Sequence, residues 1–161
     1  LALDGNTIAV SLDTNGIESA WDTIFINYNL TYLVSGFVDR QGTTVDSDVL
    51  VKIYNGIETQ TVYTNSSGFY SFIVSYTDTY TIAYSKLSYK AQQVIKYIFS
   101  NVNIDTIFLI AGDFVNDGSI NVKDAAFIKK YYGQLMPQYD IDGDGIIGSA
   151  EKEFLINNYS K

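Results

Sequence analysis

Between residues 30 and 110 hydrophobic and polar positions alternate with a period of two. Tyr32-Leu-Val-Ser-Gly-Phe-Val reads as a strand and Asp39-Arg-Gln-Gly as the turn after it. Val49-Leu-Val-Lys-Ile-Tyr is a second strand, followed by Asn55-Gly56, the strongest short hairpin signal. Residues 59–63 return, and Asn65-Ser-Ser-Gly turns again. In residues 69–76, Tyr70, Phe72, Val74 and Tyr76 fall on one face and Phe69, Ser71, Ile73 and Ser75 on the other. Tyr80, Ile82 and Tyr84 then share a face, and residues 102–110 supply a last strand. Short strands at this spacing predict an all-β sandwich. After Ile110 the period changes: residues 122–132 and 149–159 read as helices, with Gly133 placed to cap the first.

Residues 1–29 are less legible. Thr7-Ile-Ala-Val-Ser-Leu and Thr23-Ile-Phe-Ile-Asn-Tyr alternate like strands around an Asp13-Thr-Asn-Gly turn. They fit a hairpin of the following domain or the end of a preceding module equally well. The pattern predicts two domains, residues 30–110 and 111–161, meeting at Ala111-Gly112. No Ser/Gly/Pro-rich linker stands there, so the two are expected to be rigidly coupled.

Composition narrows the function. The 161 residues are 47% hydrophobic and 17% charged, with one proline, which is globular rather than disordered. A formal charge of −8 argues against a nucleic-acid partner. Histidine and cysteine are absent, which removes disulfides, thiol chemistry, Ser-His-Asp catalysis and the usual zinc sites. No apolar run approaches the roughly 20 residues of a membrane span, so no membrane insertion is expected. A chain beginning at Leu1 without a leader reads as an internal or C-terminal piece of something longer.

Residues 140–151 read Asp-Ile-Asp-Gly-Asp-Gly-Ile-Ile-Gly-Ser-Ala-Glu, the pattern of a calcium-binding loop. Asp140, Asp142 and Asp144 supply hard carboxylate oxygens, Ile146 a backbone carbonyl and Glu151 a two-oxygen clamp, while Gly145 permits the sharp turn. Mg²⁺ would need fewer protein oxygens in a tighter shell, so Ca²⁺ is the expected ion. A shift of 27 positions carries Asp113 onto Asp140, Asp117 onto Asp144, Gly118 onto Gly145, Ile120 onto Ile147 and Asp124 onto Glu151. It also superposes Phe127 on Phe154, Ile128 on Leu155 and Tyr132 on Tyr159. The first loop is the weaker copy. Asp113, Asp117 and Asp124 keep carboxylates, Ser119 a carbonyl and Asn121 a side-chain oxygen or a hold on water, but Val115 cannot ligate through its side chain. Two calcium ions are expected, the second loop binding more tightly.

Two family resemblances follow. Val34-Ser-Gly-Phe-Val-Asp, Val49-Leu-Val-Lys-Ile, Thr64-Asn-Ser-Ser-Gly-Phe-Tyr-Ser-Phe and Tyr80-Thr-Ile resemble the carboxypeptidase-regulatory-like, or prealbumin-like, member of the Ig-like sandwiches. Residues 112–161, loop then helix twice with no entering helix, resemble a dockerin. Together they look like the X-module–dockerin pair of cellulosomal scaffoldins, and Val115 with the attached sandwich resembles the type II-like branch. The resemblance implies a fold of two domains, an all-β sandwich supporting a small all-α dockerin. It also implies a non-catalytic role in an extracellular polysaccharide-degrading complex. The implied partner is a cohesin domain of a scaffoldin or of a cell-surface anchoring protein. Residues matching the family's recognition positions are Val122, Lys123, Lys129 and Lys130 in the first repeat and Ser149, Ala150, Ile156 and Asn157 in the second. Each pair differs between the repeats, which predicts one dominant binding mode. For the lysines, an ordinary solvated helix face remains the alternative.

An enzyme would need acids that are not metal ligands. Among the acids outside the two loops, Asp39, Asp46, Asp48, Glu58 and Asp78 lie mostly at turns, so catalysis is not expected. The other alternative is a carbohydrate-binding sandwich, with Tyr70, Tyr76, Tyr80 and Tyr84 as a stacking platform. The same tyrosines equally suit half-buried strands.

Overall fold

The computed structural model describes residues 30–161 throughout. Before them it describes four strands: β1 (Thr7–Val10), β2 (Asp13–Thr14), β3 (Ile17–Glu18) and β4 (Asp22–Phe25). β1 pairs antiparallel with β4, and β2 with β3. The remainder of the strands expected there, residues 11–12 and 26–28, and half of the Asp13-Thr-Asn-Gly turn lie outside the described residues. Leu1–Thr31 is one compact unit and Tyr32–Lys161 another.

In the second unit, alternation builds two sheets. The smaller has the order β11 (Val102–Leu109), β5 (Tyr32–Arg40), β8 (Phe69–Val74), with β11 and β5 parallel. The larger has the order β12 (Ala111–Asp113), β10 (Ser88–Ile98), β9 (Asp78–Lys86), β6 (Leu50–Tyr54), β7 (Thr59–Tyr63). Their inward faces are the predicted ones. Tyr70, Phe72 and Val74 on β8 and Tyr80, Ile82 and Tyr84 on β9 are all buried, and the Tyr70 and Tyr84 hydroxyls meet at 2.6 Å. Burying each such side chain is worth about 1.5–3 kcal/mol. The turn after β7 depends on Gly68, at φ 78°, because a Cβ there would lie 2.0 Å from the Val38 carbonyl oxygen.

The pattern misses β10. A bulge between Tyr89 and Gln92 breaks its alternation, and Ile95 and Tyr97 put apolar side chains on the outer face.

The expected separate all-α domain is not found. The segment after residue 110 contributes only two short helices, α1 (Val122–Tyr131) and α2 (Ser149–Asn158), and both belong to the same compact unit as the sandwich. The reason is local. Ala111–Asp113 does not end the sandwich but joins its larger sheet, pairing with β10 through Tyr89↔Ala111 and Ser88↔Asp113. One hydrophobic core then runs from Val34 and Val51 through Ala111 and Phe114 to Ile128 and Leu155. With no linker and a shared core, the helices cannot be a domain of their own.

Candidate functional site

The two loops repeat in backbone as they do in sequence. Gly118 and Gly145 both sit at φ 84°, a left-handed turn that glycine adopts without strain. Two positions before each, Asn116 and Gly143 are also left-handed. Oδ2 of Asp113 accepts from Gly118 N–H at 2.8 Å, and Oδ2 of Asp140 from Gly145 N–H at 2.8 Å. Asp124 is fully buried, accepting from Asn121 N–H at 2.9 Å and Val115 N–H at 3.0 Å. Glu151, also fully buried, accepts from Gly148 N–H at 2.8 Å and Ile141 N–H at 3.0 Å. These acids therefore close their loops and start the helices at once. Asn121 completes a capping box for α1, its Oδ1 accepting from Lys123 N–H at 2.9 Å, whereas Gly148 has no side chain to cap α2.

Among the described residues no helix enters either loop: β12 leads into the first, and a turn tied by a Leu135↔Ile146 bridge leads into the second. The helix ends are tied reciprocally. Gly133 N–H, just after α1, donates to the Ile147 carbonyl at 2.8 Å, and Ser160 N–H, just after α2, donates to the Ile120 carbonyl at 2.9 Å. Each helix thus ends where the other begins, so the pair is antiparallel with a pseudo-twofold relation.

The loops differ in how their acids are placed. Asp140, Asp142 and Asp144 each bring a carboxylate oxygen within 4.8 Å of the others. The Asp142 carboxyl is held above the ordinary range, first by loss of surrounding water and then by the charges of Glu151 and Asp144 among others. Three hard, mutually repelling oxygen donors suit a divalent cation of the calcium kind. In the first loop, burial raises the Asp113 carboxyl, Val115 stands at the third position, and Asp117 pairs with Lys123 Nζ at 2.6 Å. That pair holds the Asp117 carboxyl below its usual range.

α1 and α2 enclose a groove of about 560 Å³, lined by Ala125, Ile128, Lys129, Tyr132, Lys152, Leu155 and Ile156. Ile128 and Leu155 are its buried floor. Of the eight residues placed at recognition positions, the groove brings together two, Lys129 from the first repeat and Ile156 from the second. Val122, Lys123, Ser149, Ala150, Lys130 and Asn157 lie outside its lining. Lys130 lies over the Tyr131 ring, its Nζ 4.8 Å from the centroid.

Several residues escaped the sequence reading. Lys152 flanks the groove, although its register partner Ala125 gives no hint of a charge there. Gln41, Gly42 and Ser88 in the sandwich hold the loop–helix segment. Gln41 Oε1 accepts from Ala111 N–H, Ser88 Oγ donates to the Tyr139 carbonyl at 3.3 Å, and Gly42 lies where a Cβ would run into Phe154 and Ile141. The tyrosine platform is not formed: Tyr70, Tyr80 and Tyr84 are core residues, and of the four only Tyr76 is exposed.

No protein-family profile matches the chain, and no curated protein matches it in sequence. Solved structures do. A chain of an N-terminal-interface mutant of a type II cohesin–X–dockerin complex from Acetivibrio cellulolyticus matches with a TM-score of 0.69 and 22% identity, over 81% of this chain and 96% of that one. A C-terminal-interface mutant of the type II cohesin–X–dockerin complex from the same organism matches with the same values. The likeness is one of fold. Its 81% share is more than residues 1–110 could supply, so it extends into the loop–helix segment.

Proposed function

We propose that this chain is a non-catalytic protein-interaction module that binds a cohesin in an extracellular, cellulosome-type assembly. The observation that carries the proposal is the antiparallel helix pair: two loop–helix repeats tied end to end, presenting one groove built from both. Two fold neighbours solved as cohesin–X–dockerin complexes support the same reading. The groove suits a protein partner better than a small substrate, having an apolar floor with two lysines at its sides. A partner with an apolar centre flanked by carboxylates would complement Lys129 and Lys152.

In this reading calcium is structural. An ion held by Asp140, Asp142, Asp144, the Ile146 carbonyl and Glu151 would neutralise the crowded carboxylates and fix the start of α2, where Gly148 offers no side-chain cap. The sandwich carries the loops through β12 and stands as their scaffold.

Calorimetric titration of the full chain against a panel of type I and type II cohesins, in calcium and in EDTA, tests the proposal. A one-to-one complex that forms only in calcium is the expected result. Silence across the panel in calcium would sink it.

A further inference from the structure

We infer that the first loop carries its own cation, the ammonium of Lys123, and that the chain takes one calcium ion, in the second loop, instead of two. The inference rests on the calcium reading of residues 140–151 given above.

Four observations converge on it. First, Lys123 Nζ lies 2.6 Å from Asp117 Oδ2, so a positive charge already sits on a carboxylate that a metal would need. Second, the residue in register with Lys123 is Ala150, and the second loop has no such internal cation. Third, Val115 occupies the position of Asp142, so the cluster of three mutually close carboxylates found in the second loop has no counterpart among the described residues of the first. Fourth, the first loop is anchored by the sheet, the core and a complete helix cap. Asp113 is a strand residue paired with Ser88, Phe114 is buried with its ring stacked on Phe127 at 5.8 Å, and Asn121 caps α1 in full.

The second loop differs in three ways. Its three acids repel one another, Gly148 offers α2 no side-chain cap, and its lead-in is a turn instead of a strand. An exposed ion pair alone changes an affinity by no more than about fivefold. The Lys123–Asp117 pair therefore acts with the missing third ligand, and a loop already shaped by the sheet gains little from an ion. The duplicated loops have divided the work: one is anchored to the sandwich by the sheet, the other relies on a structural ion to fix the start of α2.

The test uses the full chain. Calcium is titrated calorimetrically into metal-stripped wild type, Asp144→Asn, Asp117→Asn and the double variant Val115→Asp/Lys123→Gln. Circular dichroism checks that each variant keeps wild-type helix. One ion per wild-type chain is expected, lost in Asp144→Asn and retained within about threefold in Asp117→Asn, with a second ion appearing in the double variant. Two wild-type ions with affinities within about tenfold, or a folded double variant that still takes one, would overturn the inference. Amide exchange in EDTA supplies a metal-free arm. Asp117 and Gly118, which donate to Asp113, should be protected at least about tenfold more than Gly143 and Gly145, which donate to Asp140. If wild type bound no calcium, the reading of residues 140–151 would fall, and equal protection of the two loops in EDTA would still overturn the first-loop assignment.

Discussion

The side-chain amide of Asn158 donates to Oε1 of Gln41 at 2.6 Å, joining the last turn of α2 to the turn between β5 and β6. The same Nδ2 donates to the Ala111 carbonyl at 2.8 Å, and Gln41 Oε1 also accepts from Ala111 N–H at 3.1 Å. Helix, sandwich turn and the strand leading into the first loop therefore share one small polar network, with Asn158 almost wholly buried. Removing the shared donor leaves the buried Ala111 carbonyl without this partner and the half-buried Gln41 Oε1 one bond short, a cost of about 1–3 kcal/mol. Asn158→Ala should lower the thermal midpoint by several degrees, whether the unfolding is followed by helix or by sheet signal. If only the helix signal moved, the network would not couple them.

That network also marks where sequence reasoning stops. Local chemistry was legible: Tyr80, Ile82 and Tyr84 share a face and are all buried, and the Asn55-Gly56 signal stands between paired strands in register Tyr54↔Thr59. The 27-residue repeat was legible because each loop position has its own geometric requirement, and both the left-handed glycines and the capping acids obey it. Non-local pairing was not. Ala-Gly-Asp is too short and too poor in β-formers to announce a strand, and it becomes one because Ser88 and Tyr89 leave that edge of β10 open to it. Gln41 and Asn158, 117 positions apart, carry no shared pattern that one sequence could reveal.

The buried tyrosines predict an alkaline limit. Burial pushes the Tyr89 phenol up to about 12, and it raises Tyr70 and Tyr84 as well, the latter further through its bond to Tyr70. Unfolded tyrosines release their protons near pH 10. Above that pH the unfolded chain binds fewer protons than the folded one, so stability present below pH 10 is lost as pH rises. Each tyrosine contributes about 1.4 kcal/mol per pH unit. The ring signals of Tyr70, Tyr84 and Tyr89, followed by NMR, and the circular dichroism of the sheet should therefore change together between about pH 10 and 12. Ionisation of any of these three rings well before the sheet signal is lost would contradict this burial.

Calcium should act on stability through the second loop. An ion that binds only the folded chain adds about 2.7 kcal/mol at a concentration 100 times its dissociation constant. For a unit of this size that corresponds to a rise of roughly 10 °C in midpoint. The rise should vanish in Asp144→Ala, where one of the three converging carboxylates is gone. A similar calcium-induced rise in that variant would place the ion elsewhere.

The groove predicts how a partner reads the two repeats. Lys129 and Ile156 occupy equivalent positions in the 27-residue register and face one groove from opposite helices, as do Ala125 and Lys152. A half-turn of the partner would bring its contact for Lys129 onto Ile156 and its contact for Lys152 onto Ala125. Both charges would be misplaced while the buried floor of Ile128 and Leu155 stayed apolar. The proposed cohesin partner is therefore predicted to have one favoured orientation, set by charge at the sides of the groove and not by its floor. Exchanging the pair, Lys129→Ile with Ile156→Lys, should weaken cohesin binding by about 10- to 100-fold while leaving the thermal midpoint within a degree or two. Exchanging Ala125 and Lys152 in addition moves both lining pairs that differ in charge to their rotated places and should restore part of the loss. If the first exchange leaves affinity unchanged, the groove is not where the partner binds.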